Sequence, residues 1–412
     1  MSRRVVITGM GAITPLGNNV ESYWNGIKEG KLGIDLIKEI DTEHLEVKVA
    51  GEVKDFHPEE LIGKKESRRL DRYAQFALVA ADEAMKSSGL DLEKIDKKRF
   101  GVYVGAGIGG LITIEKEVIK MTTSKSKRVS PFFITMSIIN LSAGNISIKY
   151  GAKGPSIAMV TACATGNNSI GEAYRLIKDG YADIMLAGSS EASITPVGLG
   201  GFTSMKALSS TIDPKKASIP FDKDRNGFVM GEGGAVLVLE TEEAAVARGA
   251  NILAEIVGYG TTSDAYHITS PHPEGEGAAD SMLQAIEEAG IDKTEISYIN
   301  AHGTSTPLND RYETFAIKKA LGDYAYKVPI SSTKSMTGHL LGGAGSIEAV
   351  VCVKALIDGF IPATIGLENV DEELDLDYVP NVGRKEELKY VLSNSLGFGG
   401  HNATLLFKKW EK

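Results

Sequence analysis

A thiol at the start of a helix is a candidate nucleophile, and Cys163 has that setting. The run Ser156-Ile-Ala-Met-Val160 is short and apolar, Cys163-Ala-Thr-Gly166 follows, and a helical pattern opens at Asn167–Lys178. Free amide N–H groups and the macrodipole at a helix start favour negative charge. A thiol there is expected to fall below its ordinary pKa of about 8.5. The alternative is a buried cysteine acting as a small hydrophobe. The choice between them depends on what else converges on this sulfur.

Three more segments set polar groups on Gly-rich turns. Tyr298-Ile-Asn-Ala-His302-Gly-Thr304-Ser-Thr306 delivers a histidine from a strand end, with hydroxyls at alternate positions. Ser332-Thr-Lys334 leads through Gly338-His339 and a Gly-Gly pair into a helix carrying Glu348. Asn394-Ser-Leu-Gly397-Phe398-Gly399-Gly400-His401 precedes the last strand. Glycine lets backbone N–H groups on such loops approach a reacting carbonyl closely. Singly, a strand-end histidine bonds to backbone and a lysine is a solvated charge. Packing alone does not account for a helix-start cysteine together with two turn-borne histidines and a lysine. His44 and His57 lie in polar segments and are assigned no role.

The elements that must hold these groups alternate between strand and helix. Arg3–Thr8, Arg99–Gly105, Ser156–Val160, Asp183–Gly188 and Ala235–Glu240 read as strands, with helices over Ser67–Ser88, Ile134–Tyr150 and Gly166–Gly180. The alternation restarts with strands at Ile252–Gly258 and Ile296–Ala301 and helices at Gly277–Gly290, Asp310–Leu321 and Ser346–Gly359. It closes with strands at Tyr390–Asn394 and Ala403–Phe407. This is an α/β pattern with covered sheets. Both stretches open with a strand running into a Gly/Thr turn, which hints at duplication and divides the chain into residues 1–250 and 251–412. Gly105-Ala-Gly107-Ile-Gly-Gly110 has the spacing of a dinucleotide fingerprint. The acid expected about 20 positions on is replaced by Lys125-Ser-Lys127-Arg128, so no nicotinamide site is assigned.

With 412 residues, 42% hydrophobic and 24% charged, the composition is that of a globular protein. A net charge of -9 argues against general nucleic-acid binding. Two cysteines, Cys163 and Cys352, cannot build a disulfide framework, and the chain reads as cytoplasmic. Cys352 falls in an apolar helical stripe and reads as packing. The opening Arg3-Arg4 and the apolar run after it have the order of a secretory leader. That run breaks at Gly9, Gly11 and Pro15, so it reads as strand and turn. No apolar run approaches the roughly 20 residues of a membrane span.

Taken together, Val6-Ile-Thr-Gly-Met-Gly, Thr161-Ala-Cys163-Ala-Thr, Pro220-Phe-Asp-Lys-Asp-Arg-Asn-Gly227, Gly231-Glu-Gly233 and the three Gly-rich segments resemble the β-ketoacyl-acyl-carrier-protein synthases. The likeness is to the type II elongating enzymes of dissociated fatty acid synthesis, and it covers essentially the whole chain. The resemblance implies a thiolase-like five-layered αβαβα fold of two similar halves, usually a homodimer. It implies decarboxylative condensation of malonyl-acyl-carrier protein with an enzyme-bound acyl group, and no cofactor. By resemblance, Cys163 takes the acyl chain, and His302 and His339 serve decarboxylation and condensation. Lys334 tunes that pair with Glu348 as its partner, and the N–H groups of Cys163 and Phe398 form an oxyanion hole. Thr304 and Thr306 hold the phosphopantetheine arm, Ile108 and Phe202 line the acyl pocket, and Phe398 gates access to the cysteine. Asn300, Glu348, Ser393 and Asn394 stand where some relatives hold a structural cation.

The implied partner, acyl carrier protein, is strongly acidic. Lys64, Arg68 and Arg72 recur every four residues and share one face if that segment is helical. With Lys65 and Arg69, and extended by Lys125, Lys127, Arg128 and Lys206, they form a candidate docking patch. Other readings stay open. Cys163, His302 and His339 are a permitted zinc ligand set. A polyketide ketosynthase shares these motifs, whereas its non-catalytic partner subunits lack the cysteine. Thiolases use a second catalytic cysteine, and the initiating synthases have asparagine where this chain has His339. His401 departs from the threonine that many relatives carry in this loop.

Overall fold

The computed structural model describes residues 3–125 and 128–411. The first part of the chain contributes β1 (Val5–Ile13), α1 (Arg72–Ser88), β2 (Phe100–Gly105), α2 (Leu141–Tyr150), β3 (Ser156–Ile157), α3 (Thr165–Lys178), β4 (Ile184–Glu191) and β5 (Gly233–Thr241). The second contributes β6 (Ala254–Ser263), α4 (Glu276–Ala289), β7 (Ile296–Asn300), α5 (Pro307–Leu321), β8 (Ile330–Ser331), α6 (Ala344–Asp358), β9 (Tyr390–Gly397) and β10 (His401–Lys409). Each part thus runs β-α-β-α-β-α-β-β.

These strands hydrogen-bond in the order β8-β7-β9-β10-β6-β1-β5-β4-β2-β3. Read outward from the centre, the two arms have the same order. In each, the first strand is antiparallel to the last, the last two are antiparallel, and the remaining pairs are parallel. The arms meet along β1 and β6 through Val5↔Ile256, Val6↔Glu255 and Ile7↔Ala254.

Burial separates the layers. On β5, Leu237 and Leu239 enter the central core while Val236 and Val238 face an outer one against α1 and α2. On β10, Leu405 and Phe407 enter the central core and Leu406 faces the outer core beneath α4 and α5. Both faces of these strands are covered, so they read as unbroken apolar runs. α3 and α6 contact each other and strands of both arms, which makes them the middle layer of an αβαβα stack.

The helix expected over Ser67–Ser88 starts later. Asp71 caps α1 at Arg72, and Lys64–Ser67 is a separate short turn of helix. The helix expected over Ile134–Tyr150 is broken. Ile138 is extended and its carbonyl accepts the Tyr73 hydroxyl at 2.7 Å, so Phe133–Ser137 ends before α2 begins. The Ser156–Val160 strand keeps only its first two residues, at the sheet edge.

Candidate active site

The nucleophile stands on a strained turn. Ala162 has φ 49°, a conformation costing a residue with a Cβ about 1–3 kcal/mol unless its surroundings hold it. Thr165 supplies that hold: its hydroxyl donates to the Ala162 carbonyl at 2.7 Å and accepts the Thr161 N–H at 3.0 Å. The turn places Cys163 just ahead of α3. Gly397 packs on it so closely that a Cβ there would lie 2.7 Å from the Thr161 carbonyl and 3.2 Å from the Cys163 nitrogen. The backbone N–H groups of Phe398 and of Cys163 itself both act to lower the thiol's pKa. Burial pushes the thiol up to about 12, against the pull of Lys334. The expected fall of this pKa is therefore corrected: at the turn before α3, desolvation outweighs the helix start.

The two histidines arrive from different loops. Beyond β7, the N–H groups of His302 and Gly303 donate to the Glu313 carboxylate at 2.7 and 2.8 Å. His339 is pinned through its backbone, its N–H on the Val229 carbonyl at 2.7 Å and its carbonyl accepting Gly231 N–H at 2.9 Å. The rings stand edge to face, centroids 5.2 Å apart, with Phe228 5.3 Å from His339. Burial, aided by the Lys334 cation, holds both imidazoles well below their ordinary pKa, so both are neutral at pH 7. Lys334 is itself buried and ion-paired to Glu348, whose carboxyl burial raises to about 7.

A cavity of about 310 Å³ opens over these groups. Cys163, His302, His339 and Phe398 line it, and Thr304 and Thr306 stand along it with hydroxyl oxygens 2.9 Å apart. Phe202 forms part of the wall, and Lys206 stands on the lining with an exposed side chain. Ile108 does not line the cavity. Its amide is tied to Glu191 and its side chain faces solvent.

The Gly105–Gly110 loop explains its own spacing. The N–H groups of Gly107, Ile108 and Gly109 donate to the Glu191 carboxylate at 2.7, 3.1 and 3.0 Å, so this anion nest holds a carboxylate of the chain itself. Sequence reasoning missed Glu191 and Glu313. Both are acids in otherwise apolar or helical stretches, and only the Gly-rich loops they serve mark them. Among the described residues, no group of three or more His, Cys, Asp or Glu is arranged to hold a metal ion, so the zinc reading finds no donor set. Asn300 Oδ1, Glu348 Oε2 and Ser393 Oγ are buried without a partner and are the oxygen donors a structural cation needs. The Asn394 side chain is engaged elsewhere, accepting the Thr404 hydroxyl at 3.0 Å.

The basic patch is only partly assembled. Lys64, Lys65, Arg68, Lys125 and Arg128 are exposed, and Arg69 lies over the Phe132 ring at 4.9 Å. Arg72 is withdrawn: its guanidinium grips Glu232 at 2.6 and 2.9 Å. Because the helix breaks before it, Lys64, Arg68 and Arg72 do not share a face. Lys127 lies outside the described residues.

Residues 2–245 match the family described as beta-ketoacyl synthase, N-terminal domain, and residues 253–368 its C-terminal domain. The chain is 52% identical, over all of its length and 99% of the relative's, to the 3-oxoacyl-[acyl-carrier-protein] synthase 2 of Staphylococcus aureus strain COL. It is 50% identical to that of Synechocystis, over 99% of each chain. Among solved structures, a type II polyketide ketosynthase in complex with its acyl-carrier protein superposes with TM-score 0.92 at 35% identity over the whole of both chains. A beta-ketoacyl synthase from Burkholderia phymatum does so with 0.91 at 34%, over 99% of this chain and 100% of that one. With its fold, its cysteine turn and its histidine pair in place, the chain belongs to the β-ketoacyl synthase family.

Proposed function

We propose that this protein elongates fatty acyl chains by decarboxylative Claisen condensation on acyl carrier protein, as a β-ketoacyl-acyl-carrier-protein synthase II. The observation that carries the reading is that Cys163, Phe398 and the edge-to-face pair of His302 and His339 line one cavity. In the first step Cys163 displaces the carrier thiol from an acyl thioester, and the cysteine proton ends on that leaving thiol. This exchange of one thioester for another is nearly isoenergetic. In the second, malonyl thioester loses CO2, and its oxygen gathers the charge. The neutral imidazoles of His302 and His339 each supply one N–H to that enolate, a role whose loss costs about 10²–10³ in rate. The enolate carbon then attacks the Cys163 acyl carbonyl. The N–H groups of Cys163 and Phe398 hold the tetrahedral oxyanion, and its collapse expels the thiolate, which takes up a proton.

Thr304 and Thr306 offer hydroxyls along the cavity to the polar pantetheine arm, and Phe202 offers an apolar wall to the acyl chain. The acidic carrier docks on Lys64, Lys65, Arg68, Arg128 and Lys206, while Arg72 supports the fold beneath them. Two copies pair through the exposed edge strand β3, where Ile157 is exposed and Val160 follows, also exposed. Asn300, Glu348 and Ser393 would hold a hard structural cation through their orphaned oxygens. The reaction runs in the cytoplasm, which suits two free thiols. The polyketide reading is second, favoured by the ketosynthase neighbours at 33–35% identity.

Intact-protein mass spectrometry tests the reading. Incubation with long-chain acyl carrier protein adds the acyl mass to wild type and not to Cys163→Ala. Malonyl carrier protein then removes it as a β-ketoacyl product two carbons longer. An unmodified Cys163 refutes the assignment, and release only after repeated condensation selects the polyketide reading.

A further inference from the structure

Glu191 ends β4 fully buried, between two loops that belong to different halves of the chain. Besides the three amides of Gly107–Gly109, its Oε2 accepts the Gly342 N–H at 3.3 Å, and its Oε1 accepts the Ser193 hydroxyl at 3.3 Å. Gly342 belongs to the Leu341–Gly343 turn, two residues after His339 backs onto Val229. The turn is tight. Leu341, which lines the cavity, has φ 49°, and a Cβ on Gly342 would lie 2.2 Å from the Gly107 nitrogen. Two glycine loops therefore meet backbone to backbone, with one carboxylate bonded to both.

We propose that Glu191 is a positioning residue for the decarboxylation step: its carboxylate clamps the Gly107–Gly109 loop to the Leu341–Gly343 turn and so fixes His339 and the Leu341 wall relative to Cys163. This rests on the reading of His339 as a donor to the malonyl enolate. The clamp is made by uncharged donors, so the carboxylate's field reaches its neighbours. The Cys163 thiol and the Tyr73 phenol both feel it, and it raises both, while Lys334 pulls the thiol the other way. Burial lifts Glu191 itself to about 7, so it is ionised in the range where thiols are titrated by alkylation. Removing its charge thus has a signature that loss of packing lacks.

The test compares wild type, Glu191→Gln, Glu191→Asp and His339→Ala in decarboxylation of malonyl carrier protein, in acylation of Cys163, and in the pH profile of Cys163 alkylation by iodoacetamide. Both Glu191 variants are expected to slow decarboxylation about 10- to 100-fold, because a displacement of about an ångström is enough. Acylation is preserved in both. Only Glu191→Gln, which loses the charge, moves the alkylation profile to lower pH; Glu191→Asp, too short to span both loops, leaves it in place. Wild-type decarboxylation in either variant overturns the proposal. Parallel loss of both half-reactions with a lowered Tm, or failure of both variants to fold, also overturns it, by making the carboxylate a support for the fold alone. Normal decarboxylation in His339→Ala undoes the reading of His339 instead, a separate failure.

Discussion

A thiol pushed up to about 12 and two imidazoles held neutral describe an enzyme whose resting state carries its protons on sulfur. Iodoacetamide alkylation of the free enzyme should be slow at pH 7 and still rising at pH 9 to 10, where a free cysteine has levelled off; a plateau below about 8.5 contradicts this. Neutral imidazoles predict the opposite kind of profile for decarboxylation. Both histidines titrate well below the ordinary histidine value, and a neutral imidazole already supplies the N–H the enolate needs, so the rate should show no step near pH 6.5; a step there contradicts this. Replacing His339 by Ala removes one enolate donor and should cost about 10²–10³ in decarboxylation while leaving acylation of Cys163 intact, as single-turnover assays would show. Cys163, His302, His339 and Lys334 were legible in sequence because each is a reactive type on a Gly-rich or helix-start segment. The direction of the thiol shift was not, because desolvation depends on what covers the sulfur.

At the level of elements, the break between Lys64–Ser67 and α1 divides one basic run into two roles. Arg68→Glu should raise KM for the carrier protein several-fold without moving Tm. Arg72→Ala should leave KM unchanged and lower stability by about 3–5 kcal/mol, since Glu232 is left as an unpaired buried charge. Chemical denaturation and steady-state kinetics on the two variants separate these outcomes, and a KM change in Arg72→Ala alone would reverse the assignment. The period-four spacing of Lys64, Arg68 and Arg72 could not reveal this, because it holds only on an unbroken helix and Asp71 starts a new one. The Gly105–Gly110 loop misled for a related reason. Its spacing correctly announces an anion nest, but the anion is Glu191, 84 residues on from Gly107 and brought there by the sheet.

For the whole molecule, the alternation of strand and helix disclosed the α/β class, and its restart near residue 251 disclosed the repeat. The strand order was beyond sequence, because β1 pairs with β5, whose residues lie more than two hundred positions away. The exposed edge at β3 predicts a dimer by light scattering, and Ile157→Asp should convert it to monomer. A monomeric wild type would leave the edge unexplained.

α3 and α6 touch strands of both arms, so neither arm encloses its own central helix. Each arm alone would leave an apolar helix face open to water, and neither can reach its stable form before the other has been made. A ribosome must therefore finish almost the entire chain before the first arm can close. Until then the turn that holds Cys163 lacks Gly397, which packs on it, and Phe398, whose N–H acts on the thiol.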